Sequence, residues 1–104
     1  MTARPDEVAP PELADRVAAA ALSVPGVHAL HGGVAGEVAT YLPGRRVEGV
    51  RLRDDSCAVH VSIAYGESLA TTTDLVRLAV APLVGVPVDV TVEDVVALDV
   101  RRPS

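Results

Sequence analysis

From Cys57 to Tyr65 the odd positions read Cys, Val, Val, Ile, Tyr, and the even positions read Ala, His, Ser, Ala. A strict period of two is the pattern of a strand with one face in a core and the other more polar. Between Val47 and Arg53, Val50 and Leu52 point one way and Arg51 and Arg53 the other. Asp54-Asp55-Ser56 separates the two runs with turn-forming residues, so together they predict a hairpin. A third Val-rich run, Val86 to about Leu98, puts Val86, Val88, Val90 and Val92 inward and Asp89, Thr91 and Glu93 outward. Val27-His28-Ala29-Leu30-His31 predicts a shorter strand.

Two segments change to a helical period. Pro10-Pro11-Glu12 opens the first: proline is tolerated in a first turn, and an acid there suits the helix dipole. Leu13, Val17, Ala20, Ala21 and Val24 then share one face, and Pro25-Gly26 stops the helix. The second is predicted over about residues 68–84, capped by Ser68, with Leu69, Thr72, Val76, Ala79, Val80 and Leu83 as its apolar stripe. Pro82 lies near its end. Val34 to Leu42 fits either a helical turn or a loop, closed by Pro43-Gly44.

The order is helix, strand, loop, strand, strand, helix, strand. It predicts an α+β fold: a small mixed sheet of three to four strands with two helices packed on one face. Residues 1–9 read as a flexible leader, 10–100 as a single domain and 101–104 as a disordered tail. Val17 to Gly36 is nearly free of charge, but Pro25, Gly26, Gly32, Gly33 and two histidines interrupt it, so it does not predict a membrane span.

Composition narrows the chemistry. Among 104 residues there is no Phe or Trp, so Val, Leu and Ala must fill the core. Net charge is −5, and every basic residue is arginine. An acidic domain without stacking aromatics is poorly suited to nucleic acid. Cys57 is the lone cysteine and cannot form an internal disulfide. With no secretory signal in the leader, a cytoplasmic location is expected.

Four groups of residues are candidates for chemistry. His28, His31 and His60 supply three metal-ligand types, but His28 and His31 are three apart, which on a strand points them to opposite sides. Cys57 falls on the apolar face, which predicts an inert thiol rather than a nucleophile. Gly32-Gly33-Val34-Ala35-Gly36 resembles a phosphate-cradling loop but lacks the Lys-Ser/Thr that would follow. It predicts a flexible loop or an interaction loop. Arg45, Arg46, Arg51 and Arg53 predict either a solvated hairpin or a local basic patch suited to an acidic surface: Asp89 and Glu93 on a second copy, an acidic partner segment or anionic lipid headgroups.

The order of these features resembles the alkaline-shock (envelope stress response) protein family of Gram-positive bacteria. The opening helix runs into Val24-Pro25-Gly26-Val27. The Gly32-Gly33 break and the small-residue segment 34–42 follow, then a strand start at Gly49-Val50. The next strand ends in Ala64-Tyr65-Gly66, and a helix leads to the V-x-V-x-V run from Val86 to Val96. The likeness spans residues 8–100. The Ala/Val/Arg/Asp bias and absence of lysine suggest a high-GC, actinobacterial member.

The resemblance implies a non-enzymatic cytoplasmic protein of envelope or alkaline stress, self-associating or held at the inner face of the membrane through an anchored partner protein, with no cofactor and no catalytic residues. The partner-binding candidates are Arg45, Arg46, Arg51, Arg53, Gly32, Gly33 and Gly36. The alternatives are a nucleic-acid module using the Arg45–Arg53 hairpin or a metal protein using His28, His31 and His60.

Overall fold

A computed structural model describes residues 11–97. The expected leader at 1–9 and tail at 101–104 lie outside them. The order is α1 (Pro11–Leu22), β1 (Val27–Leu30), β2 (Ala39–Leu42), β3 (Arg45–Glu48), β4 (Val50–Leu52), β5 (Cys57–Ala64), α2 (Leu69–Val84) and β6 (Val88–Val96).

β5 organises the main sheet. β1 and β4 both pair antiparallel with it, β1 against Val61–Ile63 and β4 against Cys57–Val59. They therefore lie end to end along one edge of β5. β6 runs parallel along the other edge. The sheet is mixed, as the hydrophobic pattern predicts. α2 is the crossover that a parallel pair requires. Its Ser68 hydroxyl accepts the Thr71 N–H, and Gly85 ends it at φ 68, a left-handed position that suits glycine.

Cys57, Val59, Val61 and Ile63 are fully buried. They meet Ala14, Val17 and Ala21 of α1 and Val76 and Val80 of α2, so both helices cover this one face. Each such valine contributes roughly 1.5–3 kcal/mol when taken fully out of water. The core is built from aliphatic side chains: the chain has no Phe or Trp, and its two tyrosines, Tyr41 and Tyr65, are exposed.

Two expectations are corrected. Val47–Arg53 is not one strand. Gly49, at φ +82, divides it into β3 and β4. A Cβ on Gly49 would lie 2.8 Å from Leu30 Cβ and 2.9 Å from both His31 N and His60 O, so β1, β4 and β5 meet too closely for a side chain. Segment 34–42 is in part a strand: β2 pairs antiparallel with β3 in a separate two-stranded sheet closed at Pro43-Gly44.

The alternation in the last strand also breaks. Val92 pairs with Val61, but Asp94 pairs with Ser62, leaving Glu93 as the extra residue of a bulge.

Candidate functional site

The face of the main sheet away from the helices carries the even positions of β5: Ala58, His60, Ser62 and Ala64. Register fixes their neighbours. Arg51 of β4 and Asp89 of β6 flank Ala58, and Thr91 lies beside His60. Residues directly opposite in a ladder point to the same side, so Arg51, Ala58 and Asp89 form one row across the sheet.

His60 is the centre of this face. Its backbone N–H donates to Gly49 O and its carbonyl accepts from His31 N–H, both at 2.8 Å, so it spans the junction of β1 and β4. Its Nδ1 lies 2.6 Å from Glu93 Oε2, and both side chains are 19% exposed. Alternation with Asp89 and Thr91 puts Glu93 on this face, and the bulge then sets Asp94 beside Ser62 on the same face. The carboxylate orients the imidazole through Nδ1.

Glu37 stands close by. Its carboxylate accepts the N–H of Ala35 at 3.0 Å. Its own amide and that of Ala35 hold its pKa below the usual value, with smaller contributions from the charges of His60 and Arg51. Arg51 donates to the Glu37 carbonyl. His31 Nδ1 accepts the Gly33 N–H at 3.0 Å. The glycine-rich loop is thus already folded around a resident carboxylate, which occupies amides that a phosphate would need. Gly32 and Gly33 permit this. A Cβ on Gly32 would lie 2.7 Å from Glu48 Oε2, and one on Gly33 would lie 2.6 Å from Glu37 Oε2.

The structure divides the four arginines. Arg45 makes a two-pronged contact with Asp15 of α1 at 2.9 and 2.7 Å, which raises the guanidinium pKa and lowers that of Asp15. Arg46 pairs with Glu48 at 3.2 Å and borders Gly36. Arg51 lies on the polar sheet face. Arg53 is at the far end, beside a cavity of about 280 Å³ walled by Leu13, Leu52, Val84 and Val86 and including Asp54. Arg46, Arg51 and the Gly32–Gly36 loop are brought together; Arg45 and Arg53 are not part of that cluster.

The three histidines do not converge. His28 is exposed, while His31 and His60 have the partners named above. Among the described residues no three His, Cys, Asp or Glu side chains gather as metal ligands would. Cys57 is on the opposite, helix-covered face, and burial, aided by the charge of Asp89, pushes its thiol up to about 11. A thiol so raised stays protonated at neutral pH and is a poor nucleophile. Ser62 is buried and its hydroxyl points at Ala29 O, 3.5 Å away.

Pattern reasoning puts Glu93 outward with Asp89 and Thr91 but does not foresee its contact with His60, and it misses Glu37 altogether. For Glu93 a signal exists: the Val-x-Val alternation fails at Glu93-Asp94, where two acids follow one another. For Glu37, adjacent to a glycine loop, nothing in the spacing distinguishes it from a solvated acid. Comparison of the chain with protein-family models, with curated proteins and with solved structures finds no match.

Proposed function

We propose that this chain is a non-enzymatic binding and assembly domain of the cell-envelope stress response, acting on copies of itself or on a membrane-anchored partner protein. The observation that carries the binding reading is the sheet face over which no helix of the described residues lies: Arg51, His60, Glu93 and Asp89 are set there on β4, β5 and β6, and the chain's thiol lies buried on the other side. Rigid, charged positions on a sheet suit recognition of a complementary surface. The envelope-stress assignment rests on the ordered likeness of residues 8–100 to the alkaline-shock family. No helix among the described residues is long and apolar enough to cross a membrane, which fits attachment through a partner.

The nucleic-acid alternative is weakened by the pairing of Arg45 with Asp15 and Arg46 with Glu48, which leaves fewer cations for phosphate. Affinity capture of the tagged chain from its native cells, with light scattering of the purified protein, tests the reading. A co-purifying membrane protein or a mass above the monomer is expected. A strictly monomeric protein that captures no partner, or one that binds DNA with a steep salt dependence, would overturn it.

A further inference from the structure

The polar face of the main sheet carries opposite charges on its two edges. Arg51 is on β4 and Asp89 on β6, in one row with Ala58 between them. Two strand spacings of about 4.8 Å separate their backbones by about 10 Å. Neither is in an ion pair among the described residues, whose ion pairs are Arg45–Asp15, Arg46–Glu48, His60–Glu93 and Arg77–Asp74. Asp89 and Thr91 are exposed, and Asp94, beside Ser62, adds a further acid on the β6 side.

We infer that two copies of this chain pack through this face, about a two-fold axis running along β5. The inference rests on the self-association branch of the reading above and specifies its geometry. Only two kinds of two-fold axis lying between stacked faces align the strands. An axis across the strands lays β4 over β4 and β6 over β6, setting like edges together. An axis along β5 exchanges the edges while keeping each row at its own level. It therefore lays Arg51 over Asp89 of the second copy, and by symmetry Asp89 over Arg51, giving two contacts from one pair of residues. Aligned sheets stack about 10 Å apart, and Ala58, at the centre of the row, leaves room on the axis.

The other routes to a sheet dimer are poorer. The outer edge of β6 has no strand partner among the described residues, but the bulge at Glu93 and the acids Asp89, Glu93 and Asp94 blunt it against a second β6. The face itself is small: three strand positions by the eight residues of β5 come to roughly 14 by 26 Å. Over both copies that is roughly 730 Å², below the area of stable specific interfaces, and it predicts a weak, reversible, concentration-dependent dimer.

Sedimentation equilibrium of the full chain over rising concentration, at low and moderate salt, tests this with Arg51→Asp, Asp89→Arg, the double exchange and Ala58→Arg. Circular dichroism of each variant checks its fold. A wild-type dimer is expected, weakened about tenfold by either single reversal and restored to within about threefold by the double exchange. Ala58→Arg leaves the Arg51–Glu37 contact intact, yet sets two like charges on the axis and should abolish the dimer.

If Arg51→Asp fails to fold, Asp89→Arg and Ala58→Arg carry the test. A wild-type dimer indifferent to Asp89→Arg and Ala58→Arg would overturn the face while leaving self-association standing. A monomeric wild type would overturn the dimer itself, and affinity capture would still decide the partner reading separately.

Discussion

The buried thiol of Cys57 makes this fold measurably weaker on the alkaline side. Cys57 begins β5 with no exposed surface, and burial lifts its pKa from an ordinary 9.0 to about 11. The folded protein therefore binds that proton more tightly than the unfolded chain. Stability is fully present below pH 9, falls as pH rises from 9 to 11, and is lost by this group's contribution above 11. Two pKa units at 1.36 kcal/mol each give about 3 kcal/mol, a large fraction of the stability of a domain this size.

The assay is urea unfolding at pH values from 7 to 11.5 under reducing conditions, on wild type and Cys57→Ala. With a slope of roughly 1.5 kcal/mol/M, the wild-type midpoint should fall by about 2 M across the window. Cys57→Ala starts lower, by roughly 1–2 kcal/mol for the small cavity left behind, but lacks the thiol's pH dependence. The two curves should converge near pH 10 and then cross. Every group other than Cys57 is common to both proteins and cancels in the difference. Curves that stay parallel to pH 11.5 would refute the reasoning, because the thiol would then titrate alike in folded and unfolded chains.

Other outcomes follow from single contacts. Gly49→Ala should destabilise by about 3 kcal/mol or more in chemical unfolding, since its Cβ would meet the backbone of His31 and of His60 in β5 at 2.9 Å. Gly44→Ala, with the same sign of φ but nothing within 4 Å, should cost only about 1 kcal/mol. Ser68→Ala removes the acceptor for Thr71 N–H and should cost about 1 kcal/mol, read by urea midpoint. Asp15 and Glu37 both have depressed pKa values, so their contribution is present above the usual carboxylate range and is lost as pH falls through their folded values. Arg45→Ala should shrink the Asp15 part of that acid loss in thermal melts while leaving the alkaline limb unchanged.

Much of the fold is legible from periodicity because periodicity is geometry. The odd residues of β5 must share a face, and the structure finds Cys57, Val59, Val61 and Ile63 all at 0% exposure. Ser68 and Gly85 mark α2 because each supplies a bond or a backbone conformation that few other residues can. The β2–β3 hairpin is not legible in the same way. Ala39–Leu42 is four residues long, its strand partner among the described residues is β3 alone, and one buried residue per short strand gives too little pattern to separate a strand from a loop. The arginines mislead for a related reason. Spacing places four of them together in the sequence, but Arg45 is tied to Asp15 of α1 and Arg53 lies beside the cavity, so only Arg46 and Arg51 stay together beside the Gly32–Gly36 loop.

The places where alternation slips are more informative than the places where it holds. Buried Val47 and buried Val50 have opposite parity, and the slip falls at Gly49. Val88, Val90 and Val92 share a parity that Val95 does not, and the slip falls at Glu93. Both irregularities border the same residue: His60 donates its N–H to Gly49 O, and its imidazole meets Glu93. A strand that merely filled a sheet would gain nothing from either break, since each gives up ladder hydrogen bonds. The break at Gly49 lets β1 and β4 share one edge of β5, and the bulge follows Glu93 and adds Asp94 to the polar face beside Ser62. Two independent departures from a regular pattern thus converge on one position of the polar face. That convergence, more than any single charge, is why the polar face rather than the cavity beside Arg53 is the place to look for a partner.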